Sequence, residues 1–233
     1  MNIVGLICAR GGSKGIKNKN LLKINDISLV GRSIIQAKRC LLINKVYVST
    51  DSIKIKNEAE KHGASVPFLR PKKISGDKTS EILVWRHFIN YIEKKIKKID
   101  YIVSVPPTAP LRTTKDINEC LRVAMKNKAD VVLTGSISHR NPYFNMVKIK
   151  NKKISLVCSS KKNIVRRQDA PKCYDLTTVC YVFRPDYIKN HSNLFSNKTR
   201  LVIIPKERSL DIDNNFDYEL AKFLFNFNKY SNS

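Results

Sequence analysis

"IVGLICARGGSKGIKNKN", Ile3 to Asn20, joins a short apolar run to a loop holding three glycines and the cations Arg10, Lys14, Lys17 and Lys19. The run reads as a strand buried on both faces. A strand that empties into a glycine turn opens a parallel α/β sheet, and in such sheets ligands lie beyond the carboxyl ends of the strands. Two familiar phosphate loops fail on spacing: there is no G-x-x-x-x-G-K-[ST], and Gly11, Gly12 and Gly15 read G-G-x-x-G rather than G-x-G-x-x-G. On its own chemistry the loop offers backbone N–H groups with no Cβ in the way and four positive side chains, which suits a triphosphate clamp. An ordinary glycine turn with exposed lysines fits the same residues.

Outward from this stretch the same alternation recurs. Val46–Thr50, Tyr101–Val105 and Asp130–Thr134 are further β-branched runs, separated by helical patterns over 28–42 and 51–62 and after Ser80. The last is the clearest: Ile82, Trp85, Ile89, Ile92 and Ile96 recur every three or four residues and build one apolar stripe. Strand, helix, strand in repeated order predicts a mostly parallel sheet flanked by helices. The rhythm breaks after residue 136, and 141–183 reads as a protruding β-rich arm inserted in a single domain spanning 1–233. That arm is basic, with nine Lys/Arg and one acid between 148 and 172. A closing helix from Phe216 is expected to bury Leu220, Phe223, Leu224 and Phe227.

Composition narrows the function classes. The 233 residues carry a net charge of +25, which favours anionic partners, although a lysine-rich solvated surface accounts for much of it. No zinc finger, RNP-type aromatic strand or basic region feeding heptads points to nucleic acid. The apolar run at the amino end is too short to span a membrane and poorly built as a secretory signal, so no membrane role is expected. Six cysteines without C-x-x-C spacing suit a reducing cytoplasm.

Three further segments carry chemistry. "LDIDNN" sets Asp211 and Asp213 two apart, so that an extended chain turns both carboxylates to one face. Hard oxygen ligands of this kind suit Mg²⁺ completed by substrate phosphates, and helix capping by Asp213, Asn214 or Asn215 is the competing account. "PPTAPLR", from Pro106 to Arg112, is a stiff loop after a strand that could shape a pocket floor. "RRQDAPKCY", Arg166 to Tyr174, supplies paired guanidinium groups matched to carboxylate or phosphate. The four histidines are scattered, which argues against a covalent nucleophile mechanism.

In this order and spacing, "ARGGSKGIKNKN", "VSTDS", "FLRPKKISGDKTS", "PTAPLR", "RRQDAPKCY" and "LDIDNNFDYELA" resemble the acylneuraminate cytidylyltransferases, the CMP-sialic acid synthetases and their bacterial relatives. The opening loop looks nearest the branch that activates legionaminic acid. The resemblance implies a Rossmann-like nucleotidyltransferase fold and transfer of CMP from CTP to the anomeric hydroxyl of a nine-carbon 2-keto sugar acid. It further implies that Arg10, Gly11, Gly12, Ser13, Lys14 and Asn20 hold the nucleotide together with Arg70, Asp77 and Ser80. Lys19 and Asp211 join Arg10 at the reacting centre, and Asp211 and Asp213 bind Mg²⁺. Thr108, Arg112, Arg166, Arg167, Gln168 and Tyr174 would meet the sugar, the arm crossing into the partner of a homodimer. Two departures bear on the sugar: Pro106 stands where many relatives have Gln, and Thr177-Thr178 where many have Asn-Gly. An octulosonate or pseudaminic-type substrate is the alternative, and a non-catalytic polyanion-binding protein a more distant one.

Overall fold

A computed structural model describes residues 1–13, 15–96, 98–160 and 164–227. In chain order the elements are β1 (Ile3–Cys8), β2 (Lys23–Ile24), β3 (Ile27–Ser28), α1 (Leu29–Lys38), β4 (Lys45–Ser49), α2 (Ile53–Lys61), α3 (Glu81–Lys95) and β5 (Tyr101–Ser104). There follow α4 (Thr114–Lys126), β6 (Val131–Ile137), β7 (Val147–Lys150), β8 (Lys153–Leu156), β9 (Tyr174–Phe183), α5 (Pro185–Asn190), β10 (Thr199–Ile203) and α6 (Asn215–Phe227).

Six strands form the central sheet in the order β10-β6-β9-β5-β1-β4. β1 lies parallel to β4 and β5, and β10 parallel to β6, whereas β9 runs antiparallel between β5 and β6. The expected mostly parallel sheet is present, with one boundary corrected. Residues 174–183 are no part of an arm: they supply the strand that separates β5 from β6. Their apolar residues Val179, Cys180, Val182 and Phe183 are fully buried, and only the antiparallel direction set this strand outside the repeating strand-helix pattern. What does protrude is the β7–β8 hairpin, joined at Asn151 and Lys152, which both take positive φ.

Helices cover both faces of the sheet. Val30, Ile34, Ile55, Ile117 and Leu121 from α1, α2 and α4 fill one side. On the other, Trp85, Phe88, Ile89 and Ile92 of α3 pack on Phe183 and Ile188, with Trp85 stacked on Phe183 at 4.4 Å between ring centroids. The apolar stripe thus holds from Ile82 to Ile92, and Ile96 falls past its end, 55% exposed. α6 departs from expectation: only Ala221 is buried, Leu220 and Leu224 line a groove, and Phe223 and Phe227 stand 62% and 72% exposed.

Because Trp85 is buried and stacked, its loss opens a large cavity. Trp85→Ala is expected to destabilise the fold by about 3–5 kcal/mol, read as a lower urea midpoint; an unchanged midpoint would remove α3 from the core that supports the sheet.

Candidate active site

The loops leaving the carboxyl ends of β1, β4 and β5 meet the start of α3 around a cleft of about 340 Å³. The β1 loop contributes Arg10, Gly12, Ser13, Lys19 and Asn20; the segment after β4 contributes Arg70, Asp77 and Thr79; the β5 loop contributes Pro106, Pro107 and Thr108. Local bonds explain these positions. Asn20 donates to the Arg10 carbonyl at 2.9 Å and so closes the glycine loop on itself. Arg10 pairs with Asp77 at 2.5 Å. Arg70 is 6% exposed and fixed from below, its Nη2 donating to the Ser49 carbonyl at 2.7 Å. Gly11 does not offer its amide to a ligand, since that N–H donates to Asp51 at 2.8 Å. Lys14 lies outside the described residues.

The aspartate segment is brought to the same place. Lys19 Nζ donates to the Ile212 carbonyl at 2.6 Å and pairs with Asp213 at 3.1 Å. A Cβ on Gly15 would lie 2.0 Å from the Asp213 carbonyl oxygen, so the loop approaches this backbone as only glycine allows. The Ile212 amide donates to the Thr108 carbonyl at 2.8 Å, tying the third loop in. Capping does not consume the two aspartates. Asn214 accepts from the Asp217 amide at 3.0 Å, and Asp217 accepts from the amides of Asp213 and Asn214 at 2.9 and 3.0 Å. One buried oxygen of Asp211 has no hydrogen-bond partner. Among the described residues no three His, Cys, Asp or Glu side chains cluster into a protein-only metal cage. Two carboxylates beside a cationic glycine loop nevertheless suit Mg²⁺, which is held through one or two carboxylates plus substrate oxygens.

Further residues stand at or beside the same cleft. Glu81, the first residue of α3, is exposed to the cleft yet crowded by protein; burial pushes its carboxyl up to about 7, Arg70 opposes the rise and Asp211 adds to it. Burial raises the Tyr181 hydroxyl too, with Glu81 and Asp211 contributing. Thr178 also lines the cleft, and its hydroxyl is buried without a partner. Thr178 belongs to one of the two departures in the sequence that bear on the sugar; only a position opposite other loops reveals Glu81 and Tyr181.

Other expected site residues lie elsewhere. Arg112 is 2% exposed beneath the β5 loop, where it donates to the Pro106 carbonyl and to Ser33 at 3.2 Å. It props the loop rather than meeting a ligand, because a side chain so enclosed has no face toward the cleft. Ser80 is the N-cap position of α3, and its side chain makes no capping bond. Arg166, Arg167, Gln168 and Tyr174 stay outside this chain's cleft: Arg166 pairs with Asp169 at 3.2 Å and Arg167 donates to the Ser138 carbonyl at 2.8 Å.

A family model described as cytidylyltransferase matches residues 4–227. The chain belongs to the cytidylyltransferase family. It is a CTP-dependent nucleotidyltransferase. It is 36% identical over 230 residues to the CMP-N,N'-diacetyllegionaminic acid synthase of Campylobacter jejuni, covering 98% of this chain and 97% of that one. It is also 36% identical over 223 residues to the post-translational flagellin modification protein B of Campylobacter coli, covering 95% and 94%. The resemblance to the acylneuraminate family and its legionaminic branch is borne out. Among solved structures, the CMP:2-keto-3-deoxy-manno-octonic acid synthetase complexed with CTP aligns with a TM-score of 0.72 at 15% identity, over 97% of this chain and 99% of that one. That likeness shows the shared fold. No helix among the described residues of this cytidylyltransferase is long and apolar enough to cross a membrane.

The raised Glu81 carboxyl makes a signed prediction for the ligand-free protein. The folded state holds this proton more tightly than the unfolded chain, so stability declines as pH rises from about 4.5 through 7. Glu81→Gln removes that loss. Its melting temperature should therefore gain on the wild type between pH 5 and pH 8, and a gap independent of pH would show that the carboxyl is not strained.

Proposed function

We propose that this cytidylyltransferase joins CMP from CTP to the anomeric hydroxyl of a nine-carbon 2-keto sugar acid of the legionaminic or sialic type, releasing pyrophosphate. The observation that carries it is the contact of the cationic glycine loop with the Asp211–Asp213 segment at the side of the cleft. The relatives at 36% identity, one of them a CMP-diacetyllegionaminic acid synthase, support the sugar class.

Arg10, Ser13, Lys19 and Asn20 receive the triphosphate, and the anomeric oxygen attacks the α-phosphorus in line with the departing pyrophosphate. Arg10 and Lys19 neutralise charge that builds on the phosphate oxygens, which is positioning and electrostatic catalysis without a covalent intermediate. Asp211, with its unpartnered oxygen, and Asp213 would hold Mg²⁺. Bound there, the ion would supply charge neutralisation at the phosphates and acidify the attacking hydroxyl. Thr108, in the lining of the cleft, is the hydroxyl assigned to the sugar. All six cysteines are free thiols, which suits cytoplasmic chemistry.

Removing one such donor or ligand costs roughly a hundredfold or more in turnover. Lys19→Ala and Asp211→Ala are each expected to show this loss with an unchanged circular dichroism spectrum, and near-normal turnover in both would overturn the assignment. A panel of sugar acids against four nucleoside triphosphates, scored by pyrophosphate release, tests the substrates. A legionaminic or sialic acid with CTP should be fastest. An octulosonate or pseudaminic acid in first place would move the enzyme to that class, which a pseudaminic acid cytidylyltransferase at 25% identity supports.

The functional unit we infer is a homodimer. In the β7–β8 hairpin Val147 opposes Leu156 and Ile149 opposes Ile154, so one face is wholly apolar, with exposures of 59, 41, 73 and 70%. A two-stranded hairpin is marginal in water by itself. A second copy covering this face also gives Arg166, Arg167, Gln168 and Tyr174 a cleft to reach, the partner's. Ile149→Asp combined with Ile154→Asp should convert a dimer to a monomer in sedimentation analysis and cut turnover. A wild type that sediments as a monomer would remove these four residues from the site.

A further inference from the structure

The reaction cleft lies beyond the carboxyl ends of β1, β4 and β5, and the opposite end of the sheet encloses another cavity, of about 500 Å³. Lys98, Ile99 and Asp100 lead into β5 there, Lys128 precedes β6, and Arg184 and Asp186 follow the antiparallel β9. Backbone contacts fix this frame. The Asn2 amide donates to Asp100 at 2.6 Å, the Asn2 side chain to the Lys98 carbonyl at 2.7 Å, and the Arg184 amide to the Asp130 carbonyl at 3.0 Å. Its cations are poorly matched. Among the described residues the side chains of Lys98 and Lys128 form no ion pair, and the Arg184 guanidinium comes no nearer than 3.9 Å to Asp130. The carboxylates nearby are engaged with other groups: Asp100 with the Asn2 amide, Asp130 with the Ser196 hydroxyl at 3.1 Å, and Asp186 with Lys189 at 3.5 Å. Lys128 also takes φ +46° directly after α4, where glycine is usual. Asn or Asp, which tolerate that region, fill most of the other such non-glycine positions among the described residues. A lysine held in a backbone conformation it disfavours points to a use for its side chain.

Three such cations suit a phosphate group: a guanidinium meets two of its oxygens in parallel, and an ammonium meets a third as a point charge. Asp100 and Asp186 share the lining, however, and like charges set against each other disfavour a bare polyanion. Those carboxylates are acceptors only, so they favour a ligand whose remainder carries hydroxyl donors. We propose that this cavity binds the phosphate ester of a sugar: Arg184, Lys98 and Lys128 hold the phosphate, and Asp100 and Asp186 accept from the hydroxyls. The site is distinct from the reaction cleft, since β5 begins at the one and ends at the other. Losing one charge-assisted contact to the phosphate weakens binding roughly tenfold or more.

The test is calorimetry on the full chain with CTP and Mg²⁺ present in excess, titrated with glucose 6-phosphate, inorganic phosphate or glucose. The wild type should bind one glucose 6-phosphate per chain, at least tenfold more tightly than inorganic phosphate, and glucose not measurably. Lys128→Gly and Arg184→Gln should each weaken the ester tenfold or more. Lys128→Gly keeps the fold, because glycine takes that backbone freely, and its turnover without added ester should match the wild type. Absence of saturable binding by the wild type overturns the proposal without any variant. Binding that both variants retain, and that Lys19→Ala abolishes, places the ester in the reaction cleft and overturns it too. Inorganic phosphate bound as tightly as the ester would deny Asp100 and Asp186 their part, which overturns the assignment to a sugar phosphate. A protein that binds the ester yet turns over no CTP would refute the proposed reaction and leave this site standing.

Discussion

One ammonium group holds the site together. Lys19 reaches the Ile212 carbonyl at 2.6 Å and the Asp213 carboxylate at 3.1 Å, joining the first loop of the chain to a segment almost two hundred residues later. A charge-assisted contact of this kind is short and directional, so it fixes where both partners lie. It does not bring them together, however. Closing so long a loop costs conformational entropy that one ion pair does not recover. The sheet does that work: β1, next to one edge, and β10, at the other, carry the two segments to the same end of the molecule, and the lysine then sets the last few ångströms.

The aspartates depend on a second layer of contacts. Arg208 grips Asp116 with two bonds of 2.9 and 3.0 Å, and Asp116 is 5% exposed while it caps α4. Removing one partner of so enclosed a pair leaves a stranded charge, which is far costlier than losing a surface ion pair. Ile212 is fully buried against Ile24, Leu29 and Ala221, so the residue between the aspartates is the anchor and the aspartates themselves stay outside the core. The period of two in an extended chain then separates a structural side chain from two functional ones.

Much of this could be read in the chain, and the exceptions share a cause. Strands buried on both faces announce themselves as apolar runs, and α3 by a stripe that its burial confirms at Trp85, Ile89 and Ile92. The glycine loop and the paired aspartates were visible because their residue types are uncommon in combination. β9 was misplaced because a lone antiparallel strand breaks the order of strand and helix without changing its own composition. Arg112 looked like a ligand group because sequence does not say which side of a loop an arginine takes. Glu81 and Tyr181 carry no local signal: each matters through what other segments place opposite it.

The charge of the whole protein and the charge of the cleft obey different rules. A surplus of +25 suggests a positive binding site, yet two of the cations here are already matched, Arg10 by Asp77 and Lys19 by Asp213, while Arg70 is held under the surface. An exposed lysine field would attract any polyanion and release it as salt rises. Cations pinned by carboxylates bind more weakly through bulk charge, but their donors point in fixed directions before a ligand arrives. Transition-state stabilisation requires that fixity, since no reorganisation then accompanies the movement of charge on the phosphate. The acids around residue 211 therefore serve the same end as the basic loop opposite them: they trade general attraction for a defined arrangement, and the surplus lysines are left to the surface.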